Sequence, residues 1–130
     1  MVSNNVELQT LNRELVRLSE RLQFGTAISM DNEESVINMT LDGIYNMSLE
    51  LAKDSRYLLI TVATDIEAYD TELIQRAMSH ASFRRREITF FASYAEPSLM
   101  LSTRILPNLI TAETIEKSIL SLIQYHKELR

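Results

Sequence analysis

The chain has no cysteine and no tryptophan, and only two glycines, two prolines and two histidines among its 130 residues. Without cysteine there are no disulfides and no thiolate chemistry, which accords with a reducing compartment. Glycine stands only at Gly25 and Gly43, so neither GxGxxG nor a Walker phosphate loop can be written. No GxSxG elbow occurs either. His80 and His126 have no partner at metal-ligand spacing, so no metal and no cofactor is expected. His80 reads as a surface or partly packed histidine, and His126 is accounted for by the dipole of the helix end it occupies. Apolar runs such as Leu58-Leu59-Ile60 are strand-sized, far below the length of about 18 residues that crosses a membrane. The start, MVSNNVELQ, lacks the basic and apolar parts of a signal peptide. Scarce glycine and proline leave little room for linkers, and no repeat is visible. One domain over residues 1–130 is expected.

Hydrophobic residues make up 45% of the chain and charged residues 24%, as in ordinary globular proteins. The net charge of −5 disfavours nucleic acid and favours solubility or a basic partner. Arg84-Arg85-Arg86 is the sole basic cluster. It lacks aromatic interleaving, so a charge effect at a helix C-terminus or an acidic partner explains it better. Glu33-Glu34 reads as a solvated turn.

The pattern that is present is structural. Leu8, Leu11, Leu15, Leu18 and Leu22 alternate at spacings of three and four and predict a helix over 6–24. Asn4 or Asn5 would cap it and Gly25 follow it. Arg13, Arg17 and Arg21 form a row expected to be a solvated face. Period-two alternation then predicts strands over 36–41, 44–51 and 57–63, the first two joined at Asp42-Gly43. In the third strand Leu58, Ile60 and Val62 form one face, but Tyr57 and Leu59 make the other apolar too. Such a strand is expected at the sheet centre, buried on both sides. A helix over 71–82 begins at Asp70 or Thr71, strands follow over 88–93 and 99–105, and a helix over 112–129 is capped by Thr111. The fold class is α+β in the order α-β-β-β-α-β-β-α, a mainly antiparallel twisted sheet packed with helices. Either the three helices are shared between both faces, or surplus apolar surface awaits a second copy or another chain.

This order of segments resembles that of the class I chaperones of type III secretion systems. The likeness covers nearly the whole chain and is best in NMTLDGIYNMSLELAKDSRYLLITVATDI (38–66) and LPNLITAETIEKSILSLIQYHKEL (106–129). The chain departs from the family in its lead-in to the second helix, AYDTE, where glycine or proline is common. It departs again in ending at Arg130 without an acidic tail. The resemblance implies a non-enzymatic, cytoplasmic bacterial protein that holds the N-terminal segment of a secreted effector, keeps it soluble and delivers it for export. It implies a homodimer, with the secretion ATPase as a further candidate partner. Mapped onto this sequence, it implies a client surface at Val16, Leu18, Val36, Asn38, Leu59 and Thr61. The implied dimer contact is at Leu73, Ile74, Ala77, Met78 and Phe90. The competing readings are a small α+β ligand-binding or enzyme-subunit domain, and a structural or regulatory adaptor of a secretion system.

Overall fold

The alternating segments pair into one five-stranded, wholly antiparallel sheet. The structure, a computed structural model, describes residues 2–22, 36–41, 43–52, 57–66, 70–81 and 90–129. Its elements are α1 (Val2–Leu22), β1 (Val36–Leu41), β2 (Tyr45–Leu51), β3 (Leu58–Asp65), α2 (Thr71–Ala81), β4 (Phe91–Ala95), β5 (Ser98–Ile105), a 3-10 turn (Pro107–Leu109) and α3 (Ala112–Leu129). The sheet order is β1-β2-β3-β5-β4, which puts the doubly apolar β3 at the centre as expected. The Arg84-Arg85-Arg86 run, Glu33-Glu34, Gly25 and the side chains of Leu8 and His80 lie outside the described residues.

Two boundaries differ from the sequence pattern for local reasons. The second strand starts at Tyr45, because Gly43 takes φ +71° and Ile44 donates its N–H to the Leu41 carbonyl at 3.2 Å, closing the turn. Positive φ is cheap only for glycine. The helix α1 already includes Asn4 and Asn5, so neither is its cap.

All three helices lie over one sheet face. α3 crosses β3 and β5, α1 runs beside α3, and α2 packs on β4 and α3. Between these layers Leu11, Leu15 and Leu18 of α1 meet Met47, Leu49, Leu58, Ile60, Val62, Leu99 and Leu101 of the sheet and Ile115, Ile119 and Leu122 of α3, all nearly or fully buried. The leucine stripe therefore faces the core, and Leu18, fully buried, is corrected from client surface to core. His126 is corrected too. Its dipole position stands, but the ring is buried, with Nε2 donating to the Val62 carbonyl of β3 at 2.7 Å. A carbonyl only accepts, which makes Nε2 the protonated nitrogen of that bond.

The dimer residues expected on α2 divide. Leu73 and Ala77 are buried in the chain's own core, and Phe90 is buried with its ring stacked on Tyr125, centroids 4.6 Å apart. An apolar helix face looks the same in sequence whether its partner is in the same chain or another. Here the same chain supplies it. Ile74 is half-buried and packs against the same core, and Met78 is exposed. Asp70 is the cap, accepting the Leu73 N–H at 3.1 Å.

The first and last helices are joined by charge. Thr111 Oγ1 caps α3 by accepting the Thr114 N–H at 3.1 Å, and the buried Glu14 of α1 accepts the Ala112 N–H at 2.8 Å. A helix start leaves such N–H groups without partners, and a carboxylate also suits the positive end of the dipole. Above this cap Arg17 reaches Glu113 at 3.6 Å and Arg21 reaches Glu116 at 2.8 Å. The arginine row is exposed as expected, and two of its members, Arg17 and Arg21, also form an interhelical ladder. Glu14→Ala should cost about 1 kcal/mol, within the range for lost helix caps. Urea titration would read this as a lower midpoint with an unchanged slope.

The ladder also carries a pH dependence. Glu113 is held below the usual carboxylate range, first by a backbone N–H at the helix start and then by Arg17 and Arg21. A carboxyl depressed in the fold adds stability above its unfolded value and loses it as pH falls through the folded one. The melting-temperature gap between the parent and Glu113→Gln should therefore be full at neutral pH and close below pH about 4. A gap unchanged down to pH about 2 would contradict the ladder's role.

Candidate functional site

Among the described residues nothing covers the sheet face turned away from the helices. Register fixes its rows, because side chains directly opposite each other on neighbouring strands share a face. One row is Val36, Glu50, Leu59 and Arg104, and the next is Asn38, Ser48, Thr61, Ser102 and Phe91. A third is Thr40, Asn46, Ala63, Met100 and Ser93. Every one of these residues is exposed or half-buried. The expectation that β3 is buried on both faces is therefore corrected: Leu59, Thr61 and Ala63 are half-buried, while Leu58, Ile60 and Val62 are fully buried. The three helices are not shared between the faces.

The face is chemically graded. Its middle is polar and small, with the Thr61 and Ser102 hydroxyls 2.8 Å apart. A shallow depression of about 450 Å³ lies there, lined by Asn38, Thr40, Asn46, Ser48, Thr61 and Met100 among others. At one end the side chains become larger. Val36 is 45% and Phe91 46% exposed, one on each edge strand, with Leu59 and Tyr57 on the β3 side between them. Arg104 lies between two rings there, its guanidinium carbon 5.3 Å from the Tyr57 centroid and 4.8 Å from that of Phe91. Those distances are within the reach of cation–π attraction.

Of the client residues expected from sequence, this face brings together Val36, Asn38, Leu59 and Thr61. Val16 is on α1, 38% exposed, and does not join them. Sequence reasoning did not single out Arg104 or Met100, and it noted Phe91 only as surplus apolar surface of its strand. The alternation of Met100, Ser102 and Arg104 against Leu99, Leu101 and Thr103 was the available signal, and it assigns the face without saying that nothing covers it.

A second hollow, about 500 Å³, lies where α2 begins, lined by Asp65, Asp70, Glu72, Arg76 and the apolar Ile66, Leu73 and Leu129. Its charges are engaged within the chain. Asp70 caps α2, Asp65 accepts the Ser98 hydroxyl at 2.9 Å, and Arg76 pairs with Glu72 and donates to the Leu129 carbonyl at 2.6 Å. Among the described residues no group of three His, Cys, Asp or Glu is placed to hold a metal ion. No helix of the described residues is long and apolar enough to cross a membrane.

No family model matches the sequence, and no curated protein does. Solved structures do match. The structure of the HopA1-SchA chaperone–effector complex superposes with a TM-score of 0.74 over 100% of this chain and 97% of its own, at 14% identity. The Yersinia pestis type III secretion chaperone SycH, crystallised with a stable fragment of YscM2, gives 0.71 over 92% and 99%, at 15% identity. The ExoT-SpcS complex from Pseudomonas aeruginosa gives 0.64 over 92% and 97%, at 18% identity. At such identities the likeness is one of fold, and it extends over nearly the full length of each partner in the comparison.

Proposed function

We infer, starting from a chain that has the fold of the class I type III secretion chaperones, that it binds an extended segment of a secreted effector without catalysis. The observation that carries this reading is the uncovered sheet face, apolar at one end and polar in the middle. The named neighbours, chaperones in complex with HopA1, YscM2 and ExoT, support it. A bound segment must offset the entropy of its own ordering, so it needs several anchors. Each apolar side chain that leaves water completely contributes about 1.5–3 kcal/mol. Val36, Leu59, Phe91 and Met100 provide places for such anchors, and Asn38, Thr61 and Ser102 provide polar groups for a peptide backbone between them. Holding the segment extended would keep the effector soluble and ready for export, with delivery to the apparatus and its ATPase as the following step.

The protein is proposed to act as a homodimer in the bacterial cytoplasm. Of the five residues expected at that contact, Met78 is exposed and Ile74 keeps part of its side chain accessible. Sedimentation at micromolar concentration should give a mass near twice 15.0 kDa. Affinity capture from the source cells followed by mass spectrometry should recover, in stoichiometric amount, a larger protein bound through its N-terminal segment. A monomer throughout removes the dimer. Capture of no stoichiometric partner overturns the chaperone reading.

A further inference from the structure

We propose that Arg104 is a specificity residue that reads a carboxylate in the bound segment, so that the preferred partner carries Asp or Glu close to an aliphatic anchor. The inference rests on the binding reading above and goes beyond it by naming the chemistry of the segment.

Three observations meet at this residue. The first is preorganisation. Tyr57 approaches Arg104 from the β3 side and Phe91 from the β4 side, with both rings within cation–π distance. Flanking rings restrict the long side chain and leave the planar edge of the guanidinium, with its fork of N–H donors, to be satisfied from outside. Such a fork suits a carboxylate, which can accept two parallel bonds.

The second is the absence of an internal answer. Among the described residues Arg104 has ring contacts but no ion pair and no hydrogen bond. The other charges on this face are Glu50 and Asp65. Glu50 is two strands away, roughly 10 Å at ordinary strand spacing. Asp65 stands at the far end of β3, accepting a hydrogen bond from Ser98. The arginines of α1 provide the contrast: Arg17 and Arg21 are both matched to glutamates of α3.

The third is the charge of the whole. The chain carries a net charge of −5, so an acidic segment is repelled on average. Among the described residues Arg104 is the one cation on the binding face, and a carboxylate favoured at that point sets register. Leu59 lies beside Arg104 in the same row. An extended segment presents residues i and i+2 on one side. In a segment crossing the strands from β5 toward β3, a carboxylate over Arg104 places the next same-side residue near Leu59, and the pattern read is acidic, any, aliphatic.

The test uses the full chain and short synthetic peptides of alternating valine and threonine. Each has a leucine two positions after a central Glu, Gln or Lys. Titration calorimetry on the parent should rank Glu above Gln by about tenfold, the value of a charge-assisted bond, and Lys last. Arg104→Gln should abolish the difference between the Glu and Gln peptides while melting as the parent does. Should that variant fold poorly, Arg104→Lys keeps the charge, loses the fork and the ring stacking, and should reduce the preference. Equal binding of all three peptides, binding of none, or a Glu preference that survives undiminished in the variants overturns the assignment. A flat result across the peptides alongside a captured effector would remove Arg104 and leave the chaperone reading standing. That reading is decided by the capture experiment alone.

Discussion

Leu15→Asp should abolish folding. The side chain is wholly buried in the middle of α1, with Leu11 and Leu18 one turn to either side and the core of sheet and α3 beneath. Truncation of a buried leucine to alanine already costs about 2–5 kcal/mol. Aspartate adds a desolvated charge with no cation on the core side of the helix, and the total approaches the 5–15 kcal/mol that holds an ordinary domain together. It also disturbs Glu14, the adjacent residue that caps α3. Circular dichroism should show loss of the cooperative melt. Leu15→Ala, by contrast, should stay folded with a urea midpoint well below the parent's. A folded, cooperatively melting Leu15→Asp would mean that the leucine stripe does not face the core.

Leu59→Asp should do the opposite, sparing the fold and removing the binding. Leu59 is half-buried on the central strand, at the apolar end of the open face, and its replacement leaves the layer of α1 and α3 untouched. The cost to the sheet should be about 1 kcal/mol, the span of strand preferences. The cost to binding is larger. It combines the loss of an anchor worth about 1.5–3 kcal/mol with a carboxylate set beside the segment's own acidic group. Capture of the effector should fall by more than tenfold with a melting temperature close to the parent's. Val16→Asp is the control: it is exposed on α1, away from this face, and should change neither. If Leu59→Asp unfolds, the face is structural. If it binds normally, the segment lies elsewhere.

These two substitutions also mark how far the sequence could be read. Period-two alternation places β1, β2, β3 and β5 to within a residue or two, because Ile, Leu and Val on one side and Asn, Ser and Thr on the other leave a single phase. At Phe90-Phe91 both phases are apolar, and the strand expected over 88–93 is found at Phe91–Ala95. The last helix matches its expected bounds, since Thr111 is a strong cap and Pro107 ends the strand before it. Contacts far apart in the chain were not legible. Glu14 and Ala112, or His126 and Val62, meet only through tertiary structure, and neither Glu14 nor His126 departs from an ordinary helix-surface pattern. For the site, the family resemblance supplied Val36, Asn38, Leu59 and Thr61, and alternation put Asn38 and Leu59 opposite the main apolar side of their strands. It could not say that the helices would all choose that apolar side.

The sheet order bears on when this protein becomes able to act. β4 leaves the ribosome before β5, yet β5 is its only ladder neighbour, so it must wait for a strand not yet made. β3 likewise keeps one edge unpaired until the same strand arrives. A nascent chain can form the meander of β1, β2 and β3, but the arginine between its two rings is assembled from three separate strands and loops. If Arg104 reads its partner as proposed, that reading is possible only once β5 has closed the sheet between β3 and β4, whereas the Val36, Asn38, Leu59 and Thr61 part of the face is already laid out by the earlier meander.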